Sequence, residues 1–160
     1  MEAMDAKILT ALTCDGRMTW AELGGRVGLS APAAAERVHR LEERGVIRGF
    51  PAQIDPVAVG LGLTAFVAVS LSRPQDRAPF LALAAALDEV QECHHIAGDD
   101  DYLLKIRCRD TGHLESLLSD RLKNLEGVVR TRTTIVLRTA KETTRVPLAP
   151  CPDEPDSEPR

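Results

Sequence analysis

Residues 19–45 carry the pattern of two short helices joined by a tight turn. Thr19 and Glu22 have the spacing of a capping box, in which two side chains satisfy backbone N–H groups at a helix start. Gly28 can supply the positive φ that ends such a helix, and Ser30 is the next N-cap candidate. A helix pair with a Gly-containing turn of this length is typical of the helix-turn-helix of DNA-binding proteins.

Both helices have an apolar face that something must cover. A preceding amphipathic helix, ended by Asp15-Gly16, would lie across them and complete a three-helix, winged-helix-like head over residues 1–46. Such a head has a marginal core, so we expect it to depend on the chain that follows. The apolar residues at helical spacing are Met4, Ile8 and Leu12, then Leu23 and Val27, then Ala34, Val38 and Leu41.

Residues 63–145 predict a second domain with the order β-α-β-β-α-β. This is the ferredoxin-like split βαβ pattern, an αβ-sandwich, and it makes the whole chain α+β. Both helices should lie on one face of the sheet, and the apolar strands predict a second copy on the other face. The expected strands are 63–71, 90–97, 102–108 and 128–139, and the expected helices are 77–87 and one that Thr111 caps and Gly127 ends.

Two further segments complete the domain plan. Residues 47–62 are expected to be a hinge strand and linker, with extended structure over 46–54. Residues 146–160 interleave proline with acidic residues, which predicts a disordered tail.

Charge and composition exclude several classes of protein. No apolar run approaches the roughly 20 residues that a membrane span needs, and no signal peptide is indicated. The four cysteines lack metal or disulfide spacing and are interpreted as reduced thiols of a cytoplasmic protein. The net charge of −4 comes largely from the tail, whereas residues 1–50 are neutral overall.

The second helix of the pair carries the candidate DNA contacts. Its arginines form a stripe beside the apolar face, and arginine can neutralise phosphates or bind guanine. The small residues at its N-terminal end permit close approach to bases but carry little hydrogen-bond information, so we expect modest specificity, helped by DNA shape. The alternative is a solvated charged face with i,i+4 pairs such as Glu36–Arg40. The candidates are Ser30, Ala31, Ala33, Ala34, Arg37, Arg40 and Arg44.

A turn with three successive carboxylates is the second candidate site. By itself, this turn is most simply a solvated one in which aspartates cap backbone N–H groups. The turn comprises Gly98, Asp99, Asp100, Asp101 and Tyr102.

Metal and catalytic chemistry find little support. Cys93 and His95 would share one strand face while His94 takes the other, and two ligands do not make a zinc site. No phosphate-binding loop follows a strand, and no nucleophile has a base at a suggestive spacing. We therefore expect no metal, no cofactor and no catalytic residues.

Both halves together resemble the Lrp/AsnC (feast/famine, leucine-responsive) transcriptional regulators. Short matches in family order cover about residues 1–145. They are Met4-Asp-Ala-Lys-Ile-Leu, Asp15-Gly-Arg, Glu22-Leu, Arg26-Val-Gly-Leu-Ser, Glu36-Arg-Val, Arg40-Leu-Glu, Ile47-Arg-Gly-Phe, Val90-Gln-Glu-Cys-His, Gly98-Asp-Asp-Asp-Tyr-Leu-Leu-Lys, Gly127-Val and Thr131-Arg-Thr. The sequence departs from the usual family pattern at Asp100, where an apolar or aromatic residue is common.

The resemblance implies a DNA-binding head, a hinge strand and a regulatory domain that assembles dimers and often octamers. It also implies a small effector, commonly an amino acid, bound between regulatory domains at Gly98–Tyr102. On this reading a carboxylate of the turn pairs with the effector's ammonium, turn N–H groups hold its carboxylate, and threonines of the last strand add to the lining. The effector-site residues that the resemblance implies are Gly98, Asp99, Asp100, Asp101, Tyr102, Thr133 and Thr134. The expected partners are double-stranded operator DNA, further copies of the chain and this effector, without a membrane. A metabolite-binding module whose head contacts proteins is the alternative, and an enzyme on a ferredoxin-like scaffold is disfavoured by the missing catalytic groups.

Overall fold

The computed structural model describes residues 2–148, which form two compact units. One unit runs to Ala52 and includes the segment that begins at Glu142, and the other is Gln53–Lys141. Each unit has its own apolar core.

The first unit contains three helices, α1 (Ala3–Cys14), α2 (Trp20–Val27) and α3 (Ala31–Glu43). The predicted capping box is present: the Thr19 hydroxyl accepts the Glu22 N–H at 3.3 Å, and the Glu22 carboxylate accepts the Thr19 N–H at 2.7 Å. Burial of one stripe on each helix closes the core, as the helical spacing predicts. The core residues are Ile8, Leu9, Ala11, Leu23, Val27, Ala34, Val38 and Leu41.

The turn between α2 and α3 depends on two glycines. Gly28 has φ of 77°, a left-handed conformation that glycine adopts without steric cost. A Cβ at Gly24 would lie 2.6 Å from the carbonyl oxygen of Leu29, so only glycine allows α2 to approach the turn this closely. Ser30 then caps α3, its hydroxyl accepting the Ala33 N–H at 3.4 Å.

Residues 46–62 contain no strand. The strand predicted over 46–54 is not paired in the single chain, because no strand among residues 2–148 lies alongside to complete a ladder. The head is therefore helical, without a β-wing in its described residues. A turn over residues 56–60 precedes the second unit's first strand.

The second unit is a four-stranded antiparallel sheet with the order β2-β3-β1-β4. This confirms the predicted βαββαβ arrangement, since β1 and β3 occupy the centre and each is followed by a helical crossover. The elements are β1 (Leu63–Leu71), α4 (Arg77–Ala86, after a 3₁₀ turn at Pro74–Asp76), β2 (Val90–His95), β3 (Tyr102–Cys108), α5 (Thr111–Ser116) and β4 (Val128–Ile135).

One face of the sheet packs on the helices. Alternate residues of β1 and β3 form its floor, and Phe80, Leu114 and Leu122 cover them from the helices. The opposite face, called here the open face, carries Phe66, Ala68 and Leu103 together with charged side chains of β3 and β4. That a second copy covers the open face stays a prediction.

The last helix differs from its prediction in two ways. Its N-cap is Asp110, not Thr111, because the Asp110 carboxylate accepts the His113 N–H at 2.8 Å. After Ser116 the chain widens into a π-helix over Leu117–Leu122. That wider turn lets Leu117 and Leu122, five residues apart, both enter the core.

The cysteines, the C-terminal segment and the absence of a predicted membrane span can also be compared with the described residues. Cys93 and Cys108 are free thiols, but Cys14 is disulfide-bonded, so the expectation of four reduced cysteines is wrong for Cys14. The predicted disordered tail lies mainly outside the described residues. Within residues 2–148, no helix combines the length and apolarity needed to cross a membrane.

Candidate functional site

The N-terminal end of α3 presents small residues at the surface. Ser30 is exposed, and Ala31 and Ala33 are partly exposed. Ala34 is fully buried in the head core, so its inclusion among the DNA contacts is corrected. The helical spacing assigns Ala34 both to the apolar core stripe and to the DNA contacts, and the structure places it in the core.

Arg37 of α3 and Arg44, the residue that follows this helix, are both bonded to Asp5 of α1. Arg37 Nη1 lies 3.0 Å from Asp5 Oδ1 and 2.9 Å from Glu2 Oε2, while Arg44 Nη1 lies 3.6 Å from Asp5 Oδ2. The hydrogen bond that Arg37 donates to Glu2, and the weaker effect of the one it donates to Asp5, raise the pKa of Arg37 against the opposing effect of burial. Because Asp5 is only 5% exposed, these arginines hold α3 on α1 and are less available to DNA than their spacing predicted.

Arg40 is the most accessible member of the arginine stripe. Its side chain is 65% exposed, and its Nε and Nη2 both lie 3.0 Å from the Glu36 carboxylate. This is the i,i+4 pair that the spacing predicted, and such a pair on an exposed helix contributes only about 0.3–0.5 kcal/mol. A phosphate can therefore compete for Arg40 at small cost.

In the second unit, the turn between β2 and β3 is built around Asp100. Its side chain is 2% exposed and accepts hydrogen bonds from Ser70 Oγ at 2.8 Å, Arg130 Nη2 at 2.9 Å and Arg132 Nη2 at 2.7 Å. The hydrogen bond from Ser70, followed by the two arginines, lowers the pKa of Asp100 although burial opposes the shift. Asp100 is thus an internal ionic anchor, not a free ligand-binding carboxylate.

The two neighbouring aspartates have different surroundings. The Asp101 carboxylate accepts the Leu71 N–H at 2.7 Å, and the Asp101 N–H donates to the Val69 carbonyl at 2.9 Å. Asp99 is exposed, and its carbonyl oxygen accepts a hydrogen bond from Arg130 Nη2 at 3.1 Å. Within residues 2–148, the Asp99 carboxylate has no hydrogen-bond or ion-pair partner.

Gly98 is exposed in the turn, and the other three predicted effector residues lie on both faces of the sheet. Tyr102 is 4% exposed and faces the helices, with its ring centroid 4.8 Å from that of Phe80. Thr133 pairs with Val67 and Thr134 with Phe66, so the two threonines point to opposite faces. Of these three residues, only Thr134 shares the open face with Arg130 and Arg132.

Cys93, His94 and His95 do not assemble into a metal site. Cys93 packs against the core, and His94 Nε2 lies 3.0 Å from Glu92. In the described part of the chain, no group of three or more His, Cys, Asp or Glu side chains is placed to hold a metal ion.

Sequence reasoning missed the residues that organise both sites: Asp5, Ser70, Arg130 and Arg132. A usable signal existed for two of them, because Arg130 and Arg132 are two apart on one strand and must share a face. Nothing local indicated that Asp100, about thirty residues away, is their partner.

A helix-turn-helix head joined to a βαββαβ domain defines the class of two-domain transcriptional regulators. The chain matches a model of the AsnC-type helix-turn-helix domain over residues 1–42 and a model of the Lrp/AsnC ligand binding domain over residues 64–146. It is 40% identical over 148 residues to the leucine-responsive regulatory proteins of Salmonella typhimurium and Escherichia coli K12, covering 91% of this chain and 90% of each relative. The chain belongs to the Lrp/AsnC family of transcriptional regulators, which are not enzymes.

Solved structures agree with this assignment. A transcriptional regulator from Neisseria meningitidis in complex with L-Met superposes with a TM-score of 0.87 at 35% identity, covering 92% of this chain and 97% of that one. The feast or famine regulatory protein from M. tuberculosis complexed with L-methionine gives 0.82 at 40% identity, with coverages of 91% and 97%. Escherichia coli AsnC gives 0.83 at 28% identity, with coverages of 90% and 97%.

Proposed function

We propose that this chain is a homo-oligomeric, sequence-specific DNA-binding regulator whose affinity for operator DNA is set by an amino acid. The observation that supports DNA binding is the first turn of α3, where the small side chains of Ser30, Ala31 and Ala33 separate the helix backbone from solvent. Arg40, further along the same helix, is also exposed. Small side chains let a helix backbone sit deep in the major groove. The same surface would serve a protein partner in the alternative function, a metabolite-binding module.

The proposed contact follows the geometry of other helix-turn-helix proteins. The N-terminal end of α3 enters the major groove, where Ala31 and Ala33 can contact thymine methyl groups and Ser30 can donate to a base or phosphate. Arg40, two turns along the same helix, contacts the phosphate backbone. Arg37 and Arg44 remain on Asp5 and set the angle of α3 instead of contributing base contacts.

The proposed effector is an amino acid bound at Gly98–Asp101 between two regulatory domains. The family model for a ligand binding domain covers this turn, and two similar proteins were solved with L-methionine. An effector there would favour one oligomer or one spacing of the heads, a coupling typically worth about 1–3 kcal/mol. No cofactor is required.

The DNA-binding role is tested with two arginine variants of the same helix. Arg40→Ala should weaken binding to the chain's own upstream DNA by about fivefold or more, with thermal unfolding unchanged, because its partner Glu36 is exposed. Arg37→Ala is the matched control: it should lower the thermal unfolding midpoint, because Asp5 and Glu2 lose their closest cation. Fluorescence anisotropy and differential scanning calorimetry give the two readouts.

The alternative predicts a different result. If the head contacts proteins, the wild-type chain will show no preference for its upstream DNA over a scrambled duplex of the same length, and Arg40→Ala will leave binding unaltered. That outcome would remove α3 as a DNA-recognition helix while leaving its structural description intact.

The effector role is tested by isothermal titration of the wild-type protein with each of the twenty amino acids. At least one is expected to release or absorb heat and to change the protein's DNA affinity. Failure of all twenty to bind would contradict an amino-acid effector without affecting the DNA-binding proposal.

A further inference from the structure

Several polar groups of the β2–β3 turn already have hydrogen-bond partners within the described chain. The Asp100 carboxylate accepts bonds from Ser70, Arg130 and Arg132, and one oxygen of the Asp101 carboxylate accepts the Leu71 N–H. The Asp101 N–H donates to Val69, and the Asp101 carbonyl accepts the Ile96 N–H at 2.9 Å. The N–H of Asp101 is therefore committed within the chain and is not free to hold an incoming carboxylate.

Two charged groups at this turn are exposed and also keep free hydrogen-bonding capacity. The Asp99 carboxylate is exposed and without a partner in residues 2–148. The Arg130 side chain is 55% exposed and uses only Nη2, which donates to the Asp99 carbonyl and the Asp100 carboxylate. Its Nε and Nη1 donate to no described residue. The negatively charged Asp99 side chain and the positively charged Arg130 side chain thus belong to neighbouring residues, because Arg130 bonds directly to the Asp99 backbone.

We propose that Arg130 binds the carboxylate of the amino-acid effector and that Asp99 binds its ammonium group. This inference rests on the proposed effector site at Gly98–Asp101 and names the side chains that recognise the zwitterion. A guanidinium matches a carboxylate with two parallel N–H donors, and a charge-assisted bond of this kind is stronger than a neutral one.

Asp100 has a positioning role in this arrangement. It is buried and fixed by Ser70, so it holds the Nη2 end of Arg130 against the turn and leaves the other donors to face solvent. Arg132 bonds to the other oxygen of Asp100, but it lies two residues further along β4 and has no contact with Asp99. Arg132 is therefore a matched control, since it shares the partner and lacks the proposed ligand contact.

The test compares Arg130→Gln, Arg132→Gln and Asp99→Asn by calorimetric titration of the full chain. The probe is the amino acid of the panel of twenty that binds the wild type most tightly, with L-methionine titrated first. Its methyl ester, which lacks the anionic carboxylate, and its deaminated acid, which lacks the ammonium, are the paired analogues. Thermal unfolding of each variant reports on folding.

Arg130→Gln should weaken binding of the amino acid by about tenfold or more, while Arg132→Gln should change it by less than about threefold. Both variants should lose similar thermal stability, because each removes one bond to Asp100. The methyl ester should bind Arg130→Gln and the wild type with the same affinity. Asp99→Asn should bind the amino acid more weakly than the wild type does, but should bind the deaminated acid with the same affinity.

Equal losses in the two arginine variants, or an unchanged affinity in Arg130→Gln, would overturn the assignment of Arg130 while leaving the effector site in place. Unchanged affinity in Asp99→Asn would overturn the ammonium contact. If the wild type binds none of the twenty amino acids, both this inference and the effector role fail, a pattern distinct from the first two.

Discussion

The carboxylate of Asp100 is the most constrained acidic group of the second unit. It lies under two arginines of β4 and is bonded to the Ser70 hydroxyl of β1, so it connects three segments that are distant in sequence. An ionised group in such a position is retained only while its partners satisfy it, because a buried charge without hydrogen bonds is costly. The conformation of the turn therefore depends on the ionisation of one residue.

Stability should fall in acid partly through Asp100. Its pKa is lower in the folded protein than in the unfolded chain, so it stabilises the fold above the unfolded pKa of about 3.9, and this contribution is lost as the pH falls through the folded pKa. Asp100→Asn should be less stable than the wild type at neutral pH, and the difference should shrink on acidification below about pH 4. Urea unfolding at a series of pH values measures this.

Asp99→Asn is the control for that experiment. It removes the same charge from the adjacent residue, which is exposed and makes no side-chain bond in the described chain. Its unfolding free energy should follow the wild type at every pH. If Asp99→Asn and Asp100→Asn behave alike, the anchor role of Asp100 is wrong.

Local contacts at single residues were predictable, and distant ones were not. The bonds between Thr19 and Glu22 follow from spacing within one helical turn. Spacing along α3 correctly placed Arg37 and Arg44 on one stripe but could not show that Asp5 of α1 lies beside it. In the same way, the triplet at 99–101 gave no sign that Asp100 is buried, because its partners on β1 and β4 are about thirty residues away in sequence.

At the scale of elements, the α2–α3 pair depends on a close approach that sequence patterns do not reveal. Gly24 and Gly25 are adjacent in α2 and look equivalent in the sequence. In the structure, a Cβ at Gly24 would overlap the Leu29 carbonyl, whereas a Cβ at Gly25 meets nothing within 4 Å. The same substitution should therefore have opposite effects at the two positions.

Gly24→Ala should destabilise the head by about 1–3 kcal/mol, because a methyl group there forces the backbone of the turn to move. Gly25→Ala should stabilise it by about 0.5–1 kcal/mol, since alanine has the higher helix propensity and the site is open. Chemical unfolding followed by far-ultraviolet circular dichroism measures both. Stabilisation by both alanines would show that α2 and the turn can separate without cost.

Hydrophobic periodicity predicted the elements well where a single period applied. It located the four strands along the chain, and the apolar residues of β1 and β3 that face the helices form the core. It missed the π-helix at Leu117–Leu122, because leucines five residues apart do not fit a 3.6-residue period. It also predicted a strand over 46–54, where the apolar sequence has no neighbouring strand within the described chain.

For the whole molecule, the proposed oligomer matters because each head offers few contacts. The recognition end of α3 consists of a serine and alanines, so one head should bind DNA weakly and two heads held together should bind through both half-sites. Linking two weak sites raises affinity only when their spacing matches the spacing on DNA.

This leads to a prediction about spacing. In duplexes with two half-sites from the natural upstream DNA, moving one half-site by about 5 bp should weaken binding more than moving it by about 10 bp, because only the latter keeps both on the same side of the helix. Electrophoretic mobility shifts with such a series measure this. Equal weakening at both displacements would indicate that the heads bind independently.

The seam formed by Asp5 with Arg37 and Arg44 has a consequence for how salt affects the protein. Residues 1–50 contain seven lysines and arginines, and a simple count would assign each of them to a phosphate. An arginine paired with a carboxylate of its own chain does not neutralise a phosphate, so it releases no counterion condensed on the DNA. Each phosphate contact contributes about −0.9 to the slope of log affinity against log salt concentration, so the slope per head should be much shallower than seven contacts would give. The affinity of the head for DNA should therefore fall less steeply as ionic strength rises than its number of basic residues implies.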